Sequence, residues 1–130
     1  MKYLLDTHIV LWLAENSPKL TERSKAIVLD EACDKYVSIV SCWEVSIKIS
    51  LGRLYLDGGT SEFFRIIQEN GFTLLDITEG DLNILEVLPL YHRDPFDRLL
   101  VATAMSNGLS LLSDDSLLTA YAGEGFVIIA

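Results

Sequence analysis

The amino-acid sequence predicts a single α/β domain, a Rossmann-like three-layer α/β/α sandwich around a mostly parallel sheet of about five short strands. Short apolar segments alternate along the chain with longer helical segments, which is the pattern of parallel strands joined by helices. The 130 residues are enough for one domain, and half of them are hydrophobic, so a sizeable core can form. We therefore assign residues 1–130 to one domain.

Five segments are predicted to form the strands of the sheet. Each is short and apolar, as expected for a strand that is covered by helices on both faces. The five segments are Tyr3–Leu5, Tyr36–Val40, Phe72–Leu75, Ser110–Leu112 and Phe126–Ile129.

Seven helical segments are predicted between and after these strands. The first is apolar almost all round, so we expect it to be deeply buried, whereas the second is amphipathic. Gly52, Gly71 and Gly108 stand where three of the helices would end through a left-handed turn. The segments are about Thr7–Glu15, Thr21–Ala32, from after Ser41 to near Gly52, about Ser61–Asn70, Glu79–Val87, from Pro95 to Gly108, and about Ser116–Ala122.

Charge and composition narrow the classes of function. The net charge of −9 argues against a broad nucleic-acid-binding face, because phosphate binding usually shows as a basic patch. An acidic protein would attract a basic segment of a partner. No glycine-rich phosphate-binding motif occurs, so a nucleotide cofactor is not expected. No apolar run approaches the roughly 20 residues of a membrane span. The N-terminus does not resemble a signal peptide, so we expect a cytoplasmic protein.

Acidic residues recur where predicted strands end or predicted helices begin. In an open parallel sheet those positions share one edge, where ligands bind in the crevice. Carboxylates gathered there repel one another unless a cation is present, and oxygen ligands suit Mg²⁺ or Mn²⁺. The sequence therefore predicts a site for one of these ions. The acids at these positions are Asp6, Glu44, Asp94, Asp97, Asp114 and Asp115.

Structural roles are an alternative for most of these acids. Ser41 and Glu44 have the spacing of a capping box. Asp94 before a proline is a good N-cap, Asp97 in the first helical turn favours the helix dipole, and Asp114 is a candidate cap for the last helix. Asp6 is harder to explain in this way, because it lies between an apolar strand and an apolar helix, where burying a lone carboxylate is costly.

The motifs LLDTH, SCWE, DPFDRLLVATA and LLSDD, in this order and spacing, make the chain similar to the PIN-domain ribonucleases. More narrowly, the chain resembles the VapC-type toxins of toxin–antitoxin pairs. The resemblance covers nearly the whole sequence. It implies an α/β/α fold, Mg²⁺- or Mn²⁺-dependent cleavage of RNA, a homodimer and a cognate antitoxin partner.

The resemblance also assigns residues by position. It implies that the catalytic and metal-binding acids are Asp6, Glu44, Asp97 and Asp115, with Asp114 as the other candidate for the fourth place. Thr7 is the hydroxyl residue beside the first acid, and Ser113 replaces the threonine that usually precedes the fourth acid. Both are candidates for binding the substrate.

Basic residues near these motifs are candidates for binding RNA phosphates. Arg93 and Arg98 flank the third acid, and Lys48 lies one helical turn after the glutamate, at the spacing of an ordinary ion pair. His8 and His92 are candidate general bases, although we favour structural or supporting roles for both.

Two other functions remain open from the sequence. One is a PIN-fold binding module that has kept its acids but acts through protein contacts. The other is a phosphotransfer enzyme with Asp6 as nucleophile. The second is less favoured, since His8 stands where a dehalogenase-type phosphatase has its second acid. The last strand also lacks a nearby lysine of the kind found in a receiver domain.

Overall fold

The computed structural model describes residues 1–122 and 128–129 and contains a five-stranded parallel sheet. The strand order is β3-β2-β1-β4-β5, and every pair of neighbours is parallel. This confirms the predicted α/β fold. The strands are β1 Lys2–Leu5, β2 Asp34–Ser38, β3 Thr73–Leu75, β4 Ser110–Leu112 and β5 Ile128–Ile129. The first two residues of the predicted last strand, Phe126 and Val127, lie outside the described residues.

Six α-helices and one 3₁₀ helix occur in the described part of the chain. Within that part, no helix is long and apolar enough to cross a membrane. The elements are α1 Thr7–Glu15, α2 Glu22–Leu29, α3 Ile39–Ser50, α4 Gly59–Glu69, α5 Glu79–Val87, α6 Pro95–Asn107 and the 3₁₀ helix Ser116–Tyr121.

Two hydrophobic cores cover the two faces of the sheet. Side chains alternate along β1, so Tyr3 and Leu5 face one core while Leu4 faces the other. Buried residues of α1, α2, α3 and α4 fill the first core, and those of α6 and the 3₁₀ helix fill the second, with α5 at its margin. The sandwich therefore has three layers, as the sequence predicts.

Most element boundaries agree with those predicted from the sequence, but the start of α3 does not. The predicted strand Tyr36–Val40 is wrong at its end, because the strand stops at Ser38. The Ser38 hydroxyl accepts a hydrogen bond from the Val40 amide at 3.1 Å and begins the helix there. Consequently the predicted capping box is also wrong, since Ser41 lies inside the helix.

Smaller corrections concern the second and last helices. α2 ends at Leu29, earlier than the predicted Ala32, and the last helix is a 3₁₀ helix. α1 is buried mainly in its first half, rather than throughout, and its last residues are exposed. The three glycine turns are confirmed, since φ is +69° at Gly52, +72° at Gly71 and +65° at Gly108.

The strand order determines where a crevice opens. The chain moves outward from β1 through β2 to β3 and then returns to the other side of β1 to form β4. This reversal between β1 and β4 is the switch point at which open α/β sheets bind ligands, beyond the carboxyl ends of the strands. The residues that follow these two strands, Asp6 and Ser113, therefore flank the crevice.

Candidate active site

Asp6 is held at the switch point by contacts to the neighbouring strand. Its amide donates to the Leu112 carbonyl at 2.9 Å, and its Oδ2 accepts from the Ser113 hydroxyl at 2.7 Å. The Ser113 oxygen in turn accepts from the Asp115 amide at 3.1 Å. One buried hydroxyl thus connects the acid after β1 to the acid beyond β4.

The Asp6 carboxylate does not act as a helix cap, although the residue occupies the N-cap position of α1. Its side chain makes no capping hydrogen bond and is only 3% exposed. Burial raises the pKa of Asp6, and the hydrogen bond from Ser113 opposes that rise only in part. A carboxylate that is buried at this cost without a capping role is a candidate functional group.

Thr7 connects α1 to the glutamate of α3. Its hydroxyl lies 2.8 Å from Ser41 Oγ and 2.8 Å from Glu44 Oε1, and all three residues are buried. Ser41 lies one turn before Glu44 on α3, so the two residues point toward the same region of α1. Because α3 begins at Ile39 and not after Ser41, Ser41 lies within the helix and its hydroxyl joins this network.

Lys48 is the counter-ion of Glu44 within α3. Its Nζ lies 2.6 Å from Glu44 Oε2, one helical turn away, which confirms the ion pair expected from their spacing. Burial lowers the pKa of the Lys48 ammonium, but Glu44 and the nearby charges of Asp94 and Asp97 outweigh burial and raise that pKa. Lys48 therefore faces the acids on α6 as well as the one on its own helix.

The start of α6 contains one capping acid and one acid without such a role. Asp94 is the N-cap, accepting from the Phe96 amide at 2.9 Å, and Pro95 follows it at the first helical position, as predicted. Asp97 lies in the first turn of α6, and its Oδ2 is 3.4 Å from His92 Nε2. Burial, followed by the charges of Asp6 and Asp94, raises the pKa of Asp97 to about 7, and the charge of Glu44 adds to this effect.

Asp115 completes the group from the other side of β4. Its Oδ1 accepts from the Leu117 amide at 3.0 Å and caps the 3₁₀ helix, so the suggestion that Asp114 caps this helix is wrong. Its Oδ2 lies 3.1 Å from His92 Nε2, which is also 3.4 Å from Asp97 Oδ2. One polar atom from each of His92, Asp97 and Asp115 lies within 4.8 Å of the other two, so the three side chains are close enough to surround one cation.

The four predicted acids lie at one edge of the sheet. Hydrogen bonds connect Asp6 to Asp115 through Ser113, and the charges of Asp6 and Glu44 both act on Asp97. Asp114 is exposed. Four carboxylates within electrostatic range of one another make this edge strongly negative and suited to a divalent cation.

The two predicted phosphate-binding arginines differ in their surroundings. Arg93 is exposed in the loop before α6. Arg98 donates from Nη2 to the Leu88 carbonyl at 2.9 Å, and its Nε is buried without a hydrogen-bond partner among the described residues. One nitrogen of the Arg98 guanidinium therefore binds the backbone of the segment between α5 and α6.

The sequence favours a structural or supporting role for His92 but does not identify the groups that it contacts. In the structure its Nε2 lies 3.1 Å from Asp115 Oδ2 and 3.4 Å from Asp97 Oδ2. The available signal was its position five residues before Asp97, in the loop that leads to α6. That loop crosses to the 3₁₀ helix, and this tertiary contact has no local signature in the sequence.

Comparisons with known proteins agree with this architecture. A PIN domain family model matches residues 3–124, while no curated protein gives a significant match in sequence. VapBC2 from Rickettsia felis, crystallised bound to a DNA fragment from its promoter, matches with a TM-score of 0.75 at 13% identity, covering 98% of this chain and 97% of that chain. VapBC-1 from nontypeable Haemophilus influenzae matches with a TM-score of 0.67 at 18% identity, covering 98% and 96%.

A third similar structure is VapBC-5 from Mycobacterium tuberculosis, a member of the VapBC family of toxin-antitoxin systems. Its TM-score is 0.65 at 15% identity, with 98% of this chain and 97% of that chain covered. At these identities the likeness concerns the fold. The family match spans most of the sequence, and the fold and the position of the acids are in keeping with it, so the chain belongs to the PIN domain family.

Proposed function

We propose that this protein is an endoribonuclease that depends on Mg²⁺ or Mn²⁺, and that its acids Asp6, Glu44, Asp97 and Asp115 are the catalytic and metal-binding groups. The observation that supports this most is that carboxylates from separate segments of the chain lie together at one edge of the sheet, where burial and neighbouring acids raise the pKa of Asp97 to about 7. A fold that needed these acids only as caps would gain nothing from placing them so close together.

The donor atoms of the site fit a hard divalent cation. Most of the groups that face the crevice are carboxylate oxygens, which suit Mg²⁺ and Mn²⁺. His92 belongs to the cluster, but its Nδ1 accepts a hydrogen bond from the Asp94 amide at 3.0 Å. The neutral ring therefore carries its proton on Nε2 and presents a hydrogen, rather than a lone pair, to the carboxylates. This arrangement disfavours a zinc-type site that uses His92.

In this proposal the residues around the acids have distinct roles. When a cation is bound, it supplies charge neutralisation for the scissile phosphate and activation of water. Ser113 holds Asp6, and Thr7 holds Glu44, so both carboxylates face the crevice in fixed orientations. Lys48 balances part of the negative charge on Glu44.

Binding of RNA requires positive charge near an acidic site. Arg93, which is exposed beside α6, is the candidate for contacting a phosphate of the substrate. We assign Arg98 a lesser part in substrate binding, since one of its nitrogens already binds the Leu88 carbonyl. These contacts would supply a local basic rim on a protein whose net charge is −9.

We further propose that the protein is the toxin of a toxin–antitoxin pair in the cytoplasm, that it forms a homodimer, and that its antitoxin contributes a basic segment. The support is its family together with the similar structures, one of which belongs to a family of toxin-antitoxin systems. The acidic surface suits such a partner.

Cleavage of an end-labelled RNA by the purified protein tests the nuclease activity. The wild-type protein should cleave the RNA in the presence of Mg²⁺ or Mn²⁺, and cleavage should stop when a chelator is added. Asp6→Asn should lose at least about 100-fold in rate, because one orienting charge is removed from the site. Asp34→Asn is the matched control, since Asp34 is exposed at the opposite end of the sheet. Equal cleavage by Asp6→Asn and wild type would refute the assignment, and no cleavage by wild type would favour a binding module.

A further inference from the structure

Hydrogen bonds hold the backbone amide and both ring nitrogens of His92. Its backbone amide donates to the Tyr121 hydroxyl at 3.0 Å, and its Nδ1 accepts from the Asp94 amide at 3.0 Å. Its Nε2 lies 3.1 Å from Asp115 Oδ2. The side chain is only 10% exposed, so the imidazole has one orientation in which all three contacts are made.

These contacts determine which nitrogen carries the proton in the neutral ring. The Asp94 amide can only donate, so Nδ1 must be the acceptor and Nε2 must hold the hydrogen. That hydrogen is directed to Asp115 Oδ2, and Asp97 Oδ2 lies 3.4 Å from the same Nε2, at ion-pair distance. One ring nitrogen is therefore hydrogen-bonded to the acid that follows β4 and lies beside the acid at the start of α6.

Tyr121 fixes the loop that carries His92. Its buried hydroxyl accepts from the amides of Tyr91 and His92, both at 3.0 Å, and donates to the Pro89 carbonyl at 2.7 Å. Tyr121 ends the 3₁₀ helix, and Asp115 caps the start of the same helix. The 3₁₀ helix therefore connects Asp115 to Tyr121, and hydrogen bonds connect Tyr121 to His92 and His92 to Asp115.

We propose that His92 is a positioning residue that holds the carboxylate of Asp115, beside that of Asp97, in the orientation needed to bind a divalent cation, with Tyr121 fixing the loop from which it acts. This inference rests on the proposed function of the acidic site. His92 itself does not ligate the cation or contact RNA. To offer a lone pair from Nε2, the ring would have to move its proton to Nδ1 and lose the bond from Asp94.

Two substitutions separate the donor from the acceptor of the imidazole. His92→Gln places an amide N–H near the position of Nε2, whereas His92→Asn reaches only the position of Nδ1. We expect His92→Asn to weaken Mn²⁺ binding, measured by calorimetry, by about 10-fold or more, as is usual when a group that supports metal ligands is removed. His92→Gln should recover most of that loss. In cleavage assays, kcat should fall in His92→Asn while KM for RNA changes little.

Nitrogen NMR of the metal-free wild type gives a readout that does not depend on activity. The chain has two histidines, so the His92→Gln spectrum assigns both rings. We expect the neutral His92 ring to be protonated at Nε2 and unprotonated at Nδ1. The opposite tautomer would overturn the proposal, as would Mn²⁺ binding by His92→Asn that is as tight as in wild type.

The outcomes also distinguish this inference from the proposed function. If wild type cleaves RNA and His92→Asn matches it in Mn²⁺ affinity and in kcat, the role of His92 is wrong while the nuclease stands. If wild type binds Mn²⁺ and His92→Asn binds it more weakly, but neither cleaves RNA, the role of His92 stands and the nuclease assignment is wrong.

Discussion

Replacing Asp97 with asparagine should stabilise the metal-free protein and greatly reduce the stability that it gains on binding metal. Burial and the neighbouring acids raise the pKa of Asp97 from 3.8 to about 7, so the ionised carboxylate opposes folding. That rise corresponds to about 4 kcal/mol before solvent screening is considered. Because the side chain is partly exposed, we expect a gain of about 1–2 kcal/mol for Asp97→Asn above pH 7.

The pH dependence of this gain follows from the direction of the pKa shift. A carboxyl group whose pKa is raised by folding binds more protons in the folded state, so its contribution to stability falls as pH rises. Relative to Asp97→Asn, wild type should lose stability between about pH 4 and pH 7, the range between the two pKa values. Near pH 4 the two proteins should be nearly equal.

Chemical denaturation with a chelator, repeated with Mn²⁺, measures both effects. A cation that binds only the folded state stabilises it by about 2.7 kcal/mol at 100 times its Kd. Wild type should gain stability on this scale, whereas Asp97→Asn should gain far less. If Asp97→Asn is instead less stable than wild type in the chelator above pH 7, the carboxylate has a structural role and the reasoning is wrong.

Three further substitutions test the supports of the site and fold. Thr7→Val keeps the shape of the side chain but removes the hydrogen bond to Glu44. The affinity for Mn²⁺ should therefore fall, and the free energy of unfolding should decrease by about 1.5–3 kcal/mol. Unchanged values for both quantities would contradict this expectation. Tyr121→Phe should lose about 1–3 kcal/mol in denaturation, because it removes the hydrogen-bond partner of three backbone groups in the loop before α6. Tyr55→Phe, at an 83% exposed position, should be neutral, and equal effects of the two changes would refute the loop contact. Gly108→Ala should lose about 1 kcal/mol, since its φ is +65°, and a gain in stability would be the opposite of this expectation.

The sequence predicted the sheet because its strands carry a strong local signal. Ser110–Leu112 was predicted with the bounds that the structure has, and so was helix α5, Glu79–Val87. The start of α3 was missed because the apolar run continues from the strand into the helix without a break. Only the Ser38 cap marks the boundary, and a nearby serine, Ser41, offers a similar local pattern.

The acids could be located from the sequence because chain direction alone brings the ends of parallel strands to one edge. The groups that orient them could not be derived in the same way. His92 reaches Asp115 across 23 positions, and Ser113 reaches Asp6 across 107, so both contacts depend on the tertiary fold. The resemblance to a known family drew attention to Ser113, but no such signal identified the roles of His92 or Tyr121.

Anomalous diffraction from crystals of the protein grown with Mn²⁺ would locate the cation itself. We expect a manganese peak bound by carboxylate oxygens of Asp6 and Asp97, between the ends of β1 and β4, with the His92 ring nearby but not coordinated. A crystal in which Mn²⁺ lies only on other acidic side chains, or in which this crevice holds none at saturating concentration, would contradict it.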